Sequence, residues 1–433
     1  MKAGFYEWDV TPPLGGFLWG HYAKVFAQTV HDRIYAKALA VEEDGKVAII
    51  IELDTCALTE DMYDFVTQRI QEYTGVAPEN VCLSCNHTHA GASIGGSPEL
   101  RVPTDEACKS VIFRQCADAG IMAYRSMEEV EIKLGVVPVE GVSFIRNYEL
   151  NDGTLITHGR GNPNIKRPLD EVDPDLTVVM FEKAGKPVGA LINYSSHQCS
   201  MGSLYKENPG YSGDYASVLS DRMKKQYGHE FVSLFALGAA GNVNHANPDI
   251  SVSAPPQGCG YDYDYQWVGN TLADAALGME KMEKLGGGVQ AARKIMMIKR
   301  RKPTQYDIDL AAQQLYGNKP TRVLNLLHYM AANEKEESKL AVQIIRIGEL
   351  AIFCMPGELY SAYGRTIKAR SPFKYNIVVE NCNYFTGYIP NKDCFGENSK
   401  IYEVSLCFHS NLIPEAGEIL QEAILELAEE MEK

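Results

Sequence analysis

No apolar run in the 433-residue chain approaches the ~18 residues that a membrane-spanning helix needs, so membrane insertion is not expected. Positive charge is also in short supply. Lys and Arg number 41 against 56 Asp and Glu, a formal net charge of −15. An acidic chain repels phosphate backbones and anionic bilayers, which argues against nucleic acid as a partner. The opening residues Met1 to Asp9 lack the apolar stretch of a secretory signal. A paired cysteine framework is missing too. The eleven cysteines are odd in number and scattered, and several lie inside or beside apparent strands (Cys82, Cys354, Cys382). That usage suits a reducing compartment, so the chain, if complete, is expected to be cytoplasmic. Cys82-x-x-Cys85 has the spacing of half a zinc ribbon without a second pair, and no Lys follows Gly91, Gly95 and Gly96 to make a phosphate-binding loop. Neither a repeat nor a low-complexity segment is visible.

What the chain does have is 45% hydrophobic composition, enough for one large core or two fused ones. Apolar, strand-like runs recur at Val47 to Leu53, Val81 to Cys85, Thr177 to Phe181, Val188 to Tyr194, Phe231 to Leu237, Ala341 to Ile347, Leu350 to Met355 and Ile377 to Glu380. Apolar residues at three-to-four spacing predict helices over Thr59 to Tyr73, Tyr215 to Tyr227 and the terminal stretch Pro414 to Lys433. Tyr306 to Glu336 is also helical in character, with a break at Gly317 to Pro320. Strands and helices mixed without strict alternation predict an α/β or mixed α+β architecture. The best internal seam is 285–303, where Gly286-Gly287-Gly288 and Lys299-Arg300-Arg301-Lys302 fall. The chain 1–433 is otherwise read as a single domain.

Candidate chemistry collects at strand ends, where α/β folds build their sites. Asp54 follows one strand. The run Cys85-Asn86-His87-Thr88-His89-Ala90-Gly91 follows another. Alternate residues of an extended strand share a face, so His87 and His89 are expected to project together. His197 follows a third strand, Gly238 to His245 a fourth, Pro356-Gly357-Glu358 a fifth, and Asn383 to Tyr388 a sixth. His87, His89 and His197 gathered in this way point to a metal-dependent hydrolase.

The ordered set His-Thr-His, His197, Gly213-Asp214-Tyr215-Ala216-Ser217, Gly241-Asn242-Val243-Asn244, Pro-Gly-Glu358 and Phe385-Thr386-Gly387-Tyr388 resembles the neutral ceramidase family. Asp9-Val10-Thr11-Pro12-Pro13 and Ile145-Arg146-Asn147 add to the likeness, which runs from about residue 4 to about residue 410. The resemblance implies a zinc amidase that cleaves an N-acyl bond, with one Zn2+ per chain held by His87, His197, Glu358 and Tyr388. It implies that His89 lies beside bound substrate, and that Arg146 and Tyr402 contact the scissile amide. Three departures stand out. The family's active-site Ser falls on Asn244. A chain ending at Lys433 is expected to go without the family's additional C-terminal β-rich domain, and no export signal is visible in it. These favour a small soluble substrate over ceramide.

With zinc supplying the activated water, no side-chain nucleophile is required, and Asn244 can orient a carbonyl or a water. His89 is the candidate for moving a proton to the leaving nitrogen. Arg146 and Tyr402 are suited to a developing oxyanion, and Asp54 to orienting a ligand His. Cys199 falls on the same strand face as His197 and is the candidate side-chain nucleophile. Each residue also has an ordinary reading. The histidines can be loop or core residues, Glu358 a helix-start acid, Tyr388 a packed aromatic, and Asp214 a helix cap. Tyr261 to Tyr265 reads as a surface loop. Two other functions stay open: an ester or lactone hydrolase at the same zinc, or a zinc-holding binding protein without catalysis. Oligomeric state is not legible.

Overall fold

Three stretches of the chain build sheets with the same four-strand order, the first two carrying a two-residue fifth strand at one edge. In the computed structural model, which describes all residues except 22, 98–99, 203, 252–258, 261, 306, 310–325, 328 and 332–334, the first stretch contains β1 (Lys2–Asp9), β2 (Tyr35–Glu43), β3 (Lys46–Leu53), α1 (Glu60–Thr74), β4 (Val81–Cys85) and α2 (Glu106–Arg125). The second contains β5 (Glu131–Pro138), β6 (Asp175–Lys183), β7 (Lys186–Tyr194), α3 (Asp214–Tyr227), β8 (Val232–Leu237) and α4 (Asp264–Leu277). The third contains β9 (Val289–Lys299), β10 (Glu337–Ile347), β11 (Leu350–Cys354), α5 (Ser361–Arg370), β12 (Tyr375–Val379) and α6 (Ala416–Glu432). The strand orders are β4-β3-β2-β1, β8-β7-β6-β5 and β12-β11-β10-β9. In each unit the first three strands are antiparallel, and the fourth, reached through a helix, pairs parallel to the third. The seam at 285–303 holds β9, the strand that opens the third unit.

Packing follows from this repetition. Each sheet has its unit's two helices against one face: α1 and α2 on the first, α3 and α4 on the second, α5 and α6 on the third. The opposite faces meet in one shared core that includes Ile50 and Cys82 from the first sheet, Val179, Leu191 and Leu234 from the second, and Ile345, Ile352 and Val379 from the third. The inner strands are thus buried on both sides, which is why they read as continuous apolar runs rather than alternating ones.

Local sequence sets the ends of these elements. Met62, Tyr63, Val66 and Ile70 of α1 face inward, Glu60 and Asp61 open its first turn, and Gly75 ends it at φ +77° with its N–H returned to the Gln71 carbonyl. Asp105 caps α2 by accepting the Cys108 N–H at 3.0 Å. Gly4 on β1 lets α2 approach closely: a Cβ there would stand 2.1 Å from the Ala123 carbonyl.

The terminal helix and the helices anticipated at Thr59 and Tyr215 lie within a residue or two of expectation. Most of the helical expectation over Tyr306 to Glu336 falls outside the described residues. Tyr261 to Tyr265 is corrected where it can be seen. Asp264 starts α4, and Tyr265 is buried in the core of the second unit, because the aromatic lies on that helix's inward side.

Candidate metal centre

One edge of the molecule collects a side chain from each unit. His87 follows β4, His197 follows β7, and Glu358 and Tyr388 follow β11 and β12. Glu358–Leu359 and Tyr388–Ile389 form a two-residue parallel ladder with Glu358 in register with Tyr388, which brings two positions 30 residues apart to one place.

The three ligand atoms are close. His87 Nε2 lies 3.0 Å from His197 Nε2 and 3.4 Å from Glu358 Oε2, and His197 Nε2 lies 3.8 Å from the same oxygen. Glu358 Oε2 is buried with no hydrogen-bond donor. On the outer side of each ring, His87 Nδ1 contacts the Cys56 carbonyl and His197 Nδ1 the Ala240 carbonyl at 3.4 Å. A carbonyl at Nδ1 fixes the tautomer that leaves the Nε2 lone pair free to ligate. These carbonyls do what was expected of Asp54. That carboxylate instead accepts the Tyr35 N–H at 2.7 Å and the Asn86 side-chain amide, contacts that occupy both of its buried oxygens.

His89 reaches the same place by a different geometry from the one anticipated. His87 has φ +66°, so period-two alternation ends with β4. A left-handed turn, costing a non-glycine residue about 1–2 kcal/mol, swings the rings together with their Nε2 atoms 3.4 Å apart. The His89 carbonyl accepts from His21 Nε2 at 2.8 Å. His89 stays partly exposed whereas His87, His197 and Glu358 are buried.

The electrostatics are those of a cavity short of a cation. Burial pushes His87 down to about 4, and His89 and His197 well below the usual imidazole value, so all three are neutral. Burial pushes Glu358 up to about 8, partly opposed by Arg146 and by a hydrogen bond from Tyr388. Two neutral imidazoles, a carboxylate with an unpartnered oxygen and a phenol are a donor set that fits zinc.

Around them, Arg146 is held rigidly. Its Nε donates to Glu403 at 2.6 Å, and Nη2 donates to the Gly241 carbonyl at 2.8 Å and the Tyr388 hydroxyl at 3.1 Å. Glu403 is also bonded by Asn147 at 3.0 Å and Thr157 at 2.6 Å. Tyr402 sits 5.6 Å from Tyr388, ring to ring, and its hydroxyl is bonded to His409 Nε2. Asn244 is buried, with its side-chain oxygen accepting the Ala246 N–H at 3.0 Å. Gly241 is required between these groups, since a Cβ there would lie 2.4 Å from the Glu358 carbonyl. Asp214 opens α3, where it accepts from the Ser200 N–H at 2.9 Å and the Tyr215 N–H at 2.7 Å. Cys199 lies against His245, whose Nε2 is 3.0 Å from Asp264.

Sequence reasoning missed Glu403, His409 and the carbonyls of Cys56 and Ala240. Glu403 carried a signal, an acid inside the run Ile401 to Cys407. The backbone carbonyls carried none, because any residue supplies one.

The family described as "Neutral/alkaline non-lysosomal ceramidase, N-terminal" matches residues 2–258. "Neutral ceramidase 1" of Arabidopsis thaliana is 27% identical over 250 residues, 53% of this chain but only 31% of that protein's length. The crystal structure of neutral ceramidase from Pseudomonas aeruginosa superposes with a TM-score of 0.75 at 18% identity, over 99% of this chain and 74% of that one. A structure described as "Ceramidase complexed with C2" gives 0.74 at 19% identity, with the same coverage. At such identity the likeness is one of fold.

Proposed function

The chain belongs to the neutral/alkaline non-lysosomal ceramidase family, and on that basis we propose that it hydrolyses the amide bond of a small N-acyl compound. One zinc would be held by His87, His197, Glu358 and Tyr388. The observation that carries the reading is the buried, donorless Glu358 oxygen facing two neutral imidazoles at 3.4 and 3.8 Å. Zinc bound there would polarise the amide carbonyl and bring the pKa of a water from about 15.7 to about 7.

The chain's own groups supply the rest. Arg146, locked between Glu403 and the Gly241 carbonyl, keeps a positive charge beside Tyr388, where negative charge would develop on the carbonyl oxygen. Tyr402, tied to His409, is a further donor on that side. With its side-chain oxygen engaged by Ala246, Asn244 has its amide nitrogen as the end that donates to substrate or water. His89 is the neutral, partly exposed imidazole that would carry a proton to the leaving nitrogen.

Asn244, standing where a hydroxyl is expected, also favours a second reading: a centre that holds metal without turning substrate over. A panel of short-chain N-acyl amides, ceramide in mixed micelles, esters and lactones separates these. The proposal expects amide turnover, fastest on soluble amides. Turnover of esters or lactones alone would make the same centre an esterase, and metal without any turnover would favour the second reading.

A further inference from the structure

We propose that Cys82, Cys354 and Cys382 form a second zinc site, in the shared core where the three sheets meet. Among the described residues, three groups of three side chains are placed to hold a metal ion. Two of them share His87 and belong to the centre above. The third is these three cysteines, each at most 1% exposed, with all three sulfurs within 4.8 Å of one another. They come from separate places: Cys82 on β4, Cys354 at the end of β11, and Cys382 just after β12.

A second observation points to a ligand. A cavity of about 10 Å³, roughly the space of one small atom or water, is lined by Cys82, Cys354, Ser84 and Glu52 among apolar residues. Glu52 is 1% exposed, and its Oε1 is buried without a partner. Its other oxygen lies 3.6 Å from the equally buried Lys37 ammonium. Isolated buried cysteines pack as small apolar side chains. That account leaves unexplained three converging sulfurs and a void beside them.

The chemistry balances. Three thiols surrender three protons to solvent as three sulfur–zinc bonds form, and the adjoining cavity has room for about one water as the fourth donor. Three thiolates and one Zn2+ leave one negative charge on the site, beside the neutral Lys37–Glu52 pair. Thiolates select zinc-like cations over the magnesium or calcium that oxygen donors favour. Burial places loading during folding rather than after it.

The test is protein produced on zinc-depleted, cobalt-containing medium and purified under reducing conditions. A thiolate-to-cobalt charge-transfer band is expected in wild type, retained in His197→Ala and lost in Cys354→Ser. Cys56 is the thiol grouped with His87 and His89 at the first centre, so a band that Cys56→Ser and His197→Ala both keep belongs to the three-cysteine site, and failure of one site is distinguishable from failure of the other. On zinc medium, Cys354→Ser is expected to hold one zinc fewer than wild type. If Cys354→Ser does not fold, the Cys56→Ser and His197→Ala spectra still decide. No charge-transfer band in cobalt-grown wild type would overturn the proposal.

Discussion

His89 and His87 are two residues apart and differ in what surrounds them, which separates their roles. His87 is buried with its Nδ1 against a carbonyl, while His89 is partly exposed with its backbone tied to His21 and Gln198. His89→Ala should therefore keep the zinc and lower kcat by about 10²–10⁴-fold, read from metal content and steady-state rates on one sample. Loss of the zinc would instead make His89 a ligand. Lys37 and Glu52, 3.6 Å apart and both buried, form a pair whose partners depend on each other. Lys37→Met strands the carboxylate, with an expected cost of about 3–5 kcal/mol in urea unfolding. These residues also show the limit of reading the sequence. The types and order of His87, His197, Glu358 and Tyr388 were legible as a motif set. The left-handed φ of His87 and the displacement of Asp54 by two carbonyls were not, because both depend on backbone path rather than side-chain type.

At the scale of elements, the strands read most clearly were those buried along most of their length, among them β3, β4, β8 and β11, where burial on both faces demands unbroken apolar runs. The helix α2 escaped notice. It packs through Ala117, Ala119, Gly120 and Ala123, small residues that leave little amphipathic contrast but let it sit against Gly4. Its start depends on Asp105, so Asp105→Ala should lower stability by about 1 kcal/mol, measured as a shift in urea midpoint at unchanged slope. Helix α4 begins with an ion pair to the loop after β8. Burial lowers the His245 pKa, but Asp264 and the Cys199 thiol outweigh it and hold the ring at about 10. A pKa raised from about 6.5 gives stability that is full below that value and lost as pH rises through about 10. Asp264→Asn should therefore destabilise most near pH 6, with its difference from wild type shrinking toward pH 10. A pH-independent difference in urea midpoint would contradict this.

Across the whole molecule, three copies of one sheet-and-helix unit surround a shared core, and each copy delivers a side chain to the group placed to hold a metal: His87, His197 and Glu358, with Tyr388 from the third copy beside it. No repeat was legible in the sequence, because corresponding strands share burial and order rather than residues. A metal bound at this convergence ties the three units together, so its loss should be felt throughout the fold as well as in the chemistry. The most direct test is zinc content and amide turnover measured together on wild type and His197→Ala. The variant is expected to hold one zinc fewer per chain and to lose amide turnover. Unchanged zinc with unchanged turnover would contradict the assignment of this centre.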